Sequence, residues 1–437
     1  MTEQETKKTG LLNWYFQMSL LVRITVGLVA GAIVGIALAY SPSMAPNFVS
    51  NTKFFGDVFI NLLKMIVVPV IFFSLISGAA SITPAQLGRV GIKTIIFYAI
   101  LVVVAISIGL LVGNIFQPGL GLELMGAEGV QGKLAQAPSL SSLLLNIIPT
   151  NPIESLAKGA VLPIIFFALC FGIGLSVIRA SENEELSRAG DSLFRMVTAC
   201  AESMYVVVRG IMQYAPIGVF FLIAVVFAQQ GPKVIGPLAY LVGLAYLAYL
   251  LHVLIGFGGV LLLHGLNPLV FFRGANEAMI SAFVTRSSNA TLPISLRVSE
   301  ENLGVPRTVS SFSLPLGATI NMDGTSIYLA ISAMFIGYAT GHPLTIDQQL
   351  TVLLTATLGA VGTAGVPGAG ALMLLLVLES IGLKVETGSA VAVAYAMILG
   401  IDALMDMGRT CLNVTGDIVA AVVVSKHEKV LDTSKWA

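Results

Sequence analysis

Apolar stretches of about twenty residues or more recur along this chain, and no other feature limits its folding as severely. They run at about 17–40, 54–80, 92–116, 139–178, 192–228 and 236–265. Each is long enough to cross the hydrocarbon layer of a membrane as a helix. Composition agrees: of 437 residues, 56% are hydrophobic and only 11% charged, whereas a soluble chain carries about 25% charged residues. Such a chain cannot cover itself with water-facing side chains. An ordinary soluble enzyme and a disordered chain are both excluded, and the solvent is largely lipid.

Lys+Arg and Asp+Glu balance at 23 each, so a nucleic-acid partner finds no basic footprint. Cys170, Cys200 and Cys411 are far apart, which fits neither a disulfide framework nor a zinc site. The histidines are scattered and form no HExxH pattern. The polar residues 1–16 read as a tail. The apolar run after them is too long for a signal-peptide core and reads as a retained first membrane helix.

Between 266 and 425 the pattern changes, because Gly, Pro, Ser and Asn interrupt the apolar chain repeatedly. Segments 268–297 and 346–383 look like pairs of half-length helices, while 309–338 and 389–425 each contain a span. With a cytoplasmic N-terminus, fourteen Lys and Arg residues, among them Arg89, Arg179, Arg188, Arg273, Arg307 and Lys426, fall inside. Only Lys53, Lys133, Lys233 and Lys384 fall outside, a strong positive-inside asymmetry. The asymmetry holds only if 268–297 and 346–383 enter and leave on the same side. The expected fold is therefore an all-α polytopic membrane protein with eight transmembrane helices and two re-entrant helical hairpins. Its parts are a cytoplasmic tail 1–16, six spans in 17–265, a core at 266–425 and a cytoplasmic tail 426–437.

Three breaks carry candidate chemistry: Arg286 to Thr291, Gly317 to Thr325 (GATINMDGT) and Gly362 to Gly370 (GTAGVPGAG). Irregular backbone at membrane depth survives where protein or a water-filled cavity satisfies it, and broken helices mark substrate and ion sites in transporters. The last span adds the sharpest signal. Asp402, Asp406, Arg409, Thr410, Asn413 and Asp417 share one stripe about 100° wide at helical spacing. Ionisable residues at such depth cost a few kcal/mol each and usually face a functional cavity. A bare Asp406–Arg409 pair that glues helices together is the bland alternative, but it has no need of the other polar groups.

The stripe reads as an amino-acid site. Arg409 can fork onto a carboxylate, Asp406 can hold an ammonium, and N–H groups near Ser288 and Val366 suit an α-carboxylate. Asp417, Asn413, Asn321 and the Gly317 carbonyl make an all-oxygen cage for a hard cation, sodium rather than magnesium. A membrane aspartyl protease could use Asp402 and Asp406, but no facing segment supplies a partner motif. An ion channel has no need of an Asp/Arg clamp.

RSSNATLP, NMDGT, GTAGVPGAG and DMGRTCLNVTGD resemble the signature segments of the sodium/dicarboxylate symporter family, most of all its archaeal and bacterial aspartate/glutamate transporters. The similarity is dense from about 270 to 425 and looser, though colinear, before that. The resemblance implies a homotrimer built on inverted repeats, with transport domains that move in elevator fashion, in the plasma membrane of a prokaryote. It implies import of aspartate or glutamate with sodium, no organic cofactor, and hairpin 346–383 as the extracellular gate. A C4-dicarboxylate carrier and a proton-coupled glutamate symporter are the alternatives.

Carried over by motif, substrate contacts fall on Arg286, Ser287, Ser288, Thr325, Val366, Pro367, Gly368, Ala369, Gly370, Asp406, Arg409, Thr410 and Asn413. One sodium falls on Gly317, Asn321, Asn413 and Asp417, and a second on carbonyls near Thr319, Ala360, Val361 and Thr363. A third would use Tyr98, Asn321 and Asp323. There Leu101 and Val102 stand where sodium-coupled relatives have hydroxyl residues, so fewer than three strongly bound sodium ions are expected. Ser107 or nearby carbonyls could fill that gap.

Overall fold

The computed structural model describes residues 18–41, 43–81, 89–122, 124, 145, 147–360, 365, 367–386 and 388–436. Among these residues the regular elements are helices. Helix α1 (Leu20–Ala39) starts at Ser19, whose hydroxyl caps the Val22 N–H. It is followed by α2 (Ala45–Ser81), α3 (Arg89–Phe116), the short α4 (Pro152–Lys158) and α5 (Val161–Arg179). The 47-residue α6 (Glu184–Gln230) opens at Asn183, whose side chain accepts from the Glu185 and Leu186 N–H groups. Glu184 and Glu185 in its first turn complement the helix dipole.

A 3₁₀ turn at Gly231–Val234 leads into α7 (Ile235–Leu251), a π-helical turn (His252–Gly258) and α8 (Gly259–Leu263). The second half is a series of shorter helices: α9 (Pro268–Thr285), α10 (Ser288–Glu301), α11 (Arg307–Ile320) and α12 (Asp323–Ala339). Then come α13 (Ile346–Ala360), α14 (Ala369–Ser380) and the long α15 (Ala390–His427).

Six helical segments among the described residues are long and apolar enough to cross a membrane. One is the 80-residue run Glu184–Leu263, which contains two of the stretches expected separately, 192–228 and 236–265. The segment expected as one broken span at 309–338 consists of α11 and α12, 14 and 17 residues long, each too short to be among the six.

Two packed groups organise the helices. In the first, α1, α2 and α5 lie against α6. Gly27, Gly31 and Gly35 of α1 recur once per turn and face Pro216, Phe220 and Ala224 of α6. A Cβ on Gly31 would sit 2.5 Å from the Phe220 carbonyl oxygen, so only glycine lets these backbones approach so closely. In the second group, α9, α11 and α12 pack on α15, with α3 along α12. α15 has 78% of its apolar window inside the protein, against 28% for α1, which makes α15 a central helix and α1 a peripheral one. Beyond α15 the chain turns back. The Asp432 N–H donates to Gly304 O and the Trp436 indole to Leu303 O, both at 2.9 Å, fastening the tail to the α10–α11 loop.

Candidate functional site

α15 carries the polar stripe into the centre of the second group, where Asp402, Asp406, Arg409, Thr410, Asn413 and Asp417 are all buried. Arg409 is the hub. Its Nε donates to Asp406 Oδ1 at 2.8 Å and its Nη1 to Asp402 Oδ1 at 2.7 Å, with a weaker contact from Nη2 to Asp402 Oδ2 at 3.4 Å. The guanidinium carbon lies 4.5 Å from the Tyr328 ring centroid, a cation–π contact away from water. The Arg409 pairs lie within one helix, so the stripe answers most of its own charge. A Cβ on Gly370 would come within 2.5 Å of the Arg409 guanidinium, so the start of α14 admits this side chain only because it is glycine.

Asp406 is shared further. It accepts from Thr410 Oγ1 at 3.3 Å and from the Gly368 N–H at 3.4 Å, and its Oδ2 lies 3.9 Å from Arg286 Nη1. Arg286 ends α9 in the left-handed region at φ 54°, unusual for a residue with a side chain. That conformation turns the chain between α9 and α10. Ser287 then caps α10 through the Ala290 N–H and donates its hydroxyl to Gly365 O at 2.8 Å, joining the two interrupted segments.

A narrow cavity of about 10 Å³ is walled by Arg286, Ser288, Met322, Thr325, Gly365, Ala369, Gly370, Asp406, Arg409, Thr410 and Asn413. It brings together nine of the expected substrate residues, from four separate helices and the bend before α10. Ser287 and Pro367 wall a different and larger space, and Gly368 lies between Met212 and Asp402 in a third. Val366 lies outside the described residues, as do Val361 and Thr363 of the second expected sodium set. Of that set, Ala360 ends α13 buried, and Thr319 borders the larger space.

The oxygen cage sits one turn beyond, at the break between α11 and α12. Asn321 Nδ2 donates to Asp417 Oδ1 at 3.0 Å, which leaves Asn321 Oδ1 buried without a partner. A Cβ on Gly317 would collide with Asp417 Oδ1 and lie 2.6 Å from the Tyr98 hydroxyl, so these three groups converge. Both Asp323 carboxylate oxygens are buried and accept no hydrogen bond from any described residue, the nearest donor being His252 Nε2 at 3.4 Å from Oδ2. Orphaned buried acceptors of this kind call for a donor or a cation, and these oxygens suit a hard one. Asn413 faces the other way: its Oδ1 accepts from the Gly324 and Thr325 N–H groups at 2.8 and 3.3 Å, and its Nδ2 donates to Thr325 Oγ1.

At the third expected sodium position, Tyr98 donates to Ser313 O at 2.8 Å, and Leu101 and Val102 are buried. Ser107 does not fill the gap, because it is exposed and its hydroxyl donates to Val103 O. His252 occupies the vicinity instead. It is fully buried in the π-helical turn, neither ring nitrogen makes a hydrogen bond with a described residue, and Nε2 lies 3.4 Å from Asp323 Oδ2. The signal for it was an ionisable residue in the middle of an apolar span. Tyr328 is the other missed residue, and a lone tyrosine in an apolar helix gives no such signal.

The profile of the sodium:dicarboxylate symporter family matches residues 20–427. The proton/glutamate-aspartate symporter of Escherichia coli (strain K12) is 37% identical over 432 residues, covering 96% of this chain and 95% of the relative. The proton/sodium-glutamate symport protein of Geobacillus stearothermophilus is 36% identical over 414 residues, with 93% and 94% covered. The C4-dicarboxylate transport protein of Rhodospirillum rubrum is 34% identical over 429 residues, with 97% and 91% covered.

Proposed function

The chain belongs to the sodium:dicarboxylate symporter family, whose members are transporters and not enzymes, and from that premise we propose that it imports aspartate or glutamate together with sodium. It is a multi-pass membrane protein. Our reading gives it eight spans, two re-entrant hairpins, cytoplasmic termini and a place in a prokaryotic plasma membrane. In this reading residues 17–265 contribute the trimer scaffold and parts of the mobile unit, and 266–425 form the core of that unit. The mobile unit moves in elevator fashion with hairpin 346–383 as its outer gate.

The observation that carries the proposal is the pairing of Arg409 with Asp402 and Asp406 beside a narrow cavity. An acidic amino acid can replace those pairs one for one. Its side-chain carboxylate takes the Arg409 fork in place of Asp402, its ammonium meets Asp406, and its α-carboxylate meets the N–H groups at Ser288. The exchange keeps Arg409 and Asp406 paired, while the displaced Asp402 has to turn to water or take a proton, since a buried charge left without its partner costs about 3–5 kcal/mol. Sodium enters as a second cargo at Asn321 and Asp417, where acceptors outnumber donors. A sodium held there stiffens the break that positions Thr325 and Asn413, so the two cargoes support each other's binding.

One observation favours a second reading, a C4-dicarboxylate carrier. Asp406 is already close to two arginines, so a substrate without an ammonium would not leave it unpaired. A proton-coupled glutamate symporter is the third reading, suggested by the proton-named relatives and by His252 at Asp323. Uptake of labelled aspartate and labelled succinate into proteoliposomes, with and without a sodium gradient, separates the three. Aspartate uptake that follows the sodium gradient is expected, and uptake of succinate alone would overturn the proposal.

A further inference from the structure

Among the basic residues that fall within apolar stretches away from the candidate site are Lys64, Lys158 and Arg209. Two are occupied. Lys64 donates to Val385 O, and Lys158 pairs with Glu154 one turn earlier at 2.6 Å. Arg209 makes no ion pair or side-chain hydrogen bond with any described residue, and it is exposed on α6. It does not simply face lipid. It borders a cavity of about 830 Å³ that also reaches Ser287, Gly365 and Pro367.

The wall that holds Arg209 is built for water. Thr198, Glu202, Tyr205 and Arg209 all border the cavity, and their spacing of four, three and four residues puts them on one face of α6. Ser77 and Ser81 of α2 line the same space, and Ser77 Oγ and Thr198 Oγ1 lie 3.0 Å apart. Opposite stand the two interrupted segments, latched by the bond from Ser287 to Gly365 O. Gly365 borders both this vestibule and the small cavity with Arg409 and Asp406. A solute leaving the small cavity past Gly365 therefore enters the vestibule on the side where Arg209 waits.

We infer that Arg209 is an anion-docking residue on the scaffold wall of the cytoplasmic vestibule, a second and weaker station for the acidic substrate between the narrow cavity and the cytoplasm. The inference rests on the acidic-substrate reading and on the cytoplasmic placement of the N-terminal end of α6. Glu202 lies seven residues nearer that end, about 10 Å along the axis, and opposes anions at the mouth. Arg209 sits deeper, where low-dielectric walls focus its field onto a carboxylate.

Labelled aspartate uptake in right-side-out and inside-out membrane vesicles tests this, since only inside-out vesicles load the site through the vestibule. Arg209→Gln is expected to raise the inside half-saturating concentration about tenfold relative to the outside one. Arg209→Lys, which keeps a point charge, is expected to restore most of the ratio, and high salt to narrow the gap between wild type and Arg209→Gln. Glu202→Gln is expected to move the ratio the opposite way, which a mere folding defect would not do. An unchanged ratio in Arg209→Gln, a shift in the outside value alone, or no rescue by lysine would overturn the inference. Absence of aspartate uptake by the wild type in both preparations would instead overturn the substrate reading.

Discussion

Two buried polar clusters lie along α15, and they are finished to different degrees. Around Arg409, charges close on themselves: two carboxylates, a guanidinium and an aromatic face account for one another, with Arg286 nearby. Around Asn321 and Asp417, acceptors are left over, including both oxygens of Asp323. The first cluster can wait empty without an uncompensated charge. The second is short of positive charge. In the proposed function the difference is a division of labour: the closed cluster would exchange partners with a zwitterionic cargo, and the open one would take a cation. A chain built the other way round would bind ions where it needs selectivity for amino acids.

The comparison breaks most visibly at Arg409. Arg409→Cys leaves Asp402 and Asp406 without their shared cation, and removes the guanidinium that both carboxylates hold, with only Arg286 at the cavity wall remaining. Acidic amino-acid uptake is expected to vanish, with serine-like neutral substrates admitted in its place. Unchanged aspartate affinity in reconstituted protein would show that the closed cluster is structural.

A smaller but sharper effect is expected at Asp406. Asp406→Asn deprives the bound ammonium of its charged partner, a loss of about 2–5 kcal/mol. Competition assays should therefore show aspartate weakened far more than succinate. If the two lose affinity equally, Asp406 supports the fold or the ion site rather than the amine.

The smallest effect, opposite in sign, is expected at Asp402. In the empty site it holds Arg409 with a bond of 2.7 Å. Asp402→Asn weakens that competitor, so a substrate carboxylate meets a less satisfied guanidinium and binds about tenfold more tightly, a gain of about 1.4 kcal/mol. Titration calorimetry at saturating sodium reads this directly. Weaker binding would mean that Asp402 orients Arg409 instead of competing for it.

Much of this arrangement was legible because polar residues are conspicuous in an apolar chain. The stripe from Asp402 to Asp417 and the interruption at Arg286 to Asn289 stand out by composition alone, and the helical period placed the stripe on one face. What periodicity cannot convey is partner choice. Asp402 lies seven residues from Arg409, on the same face as Asp406, and only the folded geometry shows that Arg409 bonds to both. Nor does spacing separate Ser287 from Ser288. They are adjacent in sequence yet border different cavities, because the chain reverses direction at the left-handed Arg286. His252 escaped notice because a lone histidine in an apolar run has no pattern to belong to. Its meaning comes from Asp323, 71 residues away in the chain and 3.4 Å away in space.

The central proposal is that sodium drives transport, with fewer than three ions for each amino acid, because Leu101 and Val102 offer no hydroxyl oxygen beside Tyr98 and Asp323. Reversal potentials of aspartate flux, measured in proteoliposomes across a series of sodium and proton gradients, test it directly. The account predicts potentials that move with the sodium gradient at a stoichiometry below three. A clean three-sodium stoichiometry indifferent to pH, or potentials that ignore sodium altogether, would contradict it.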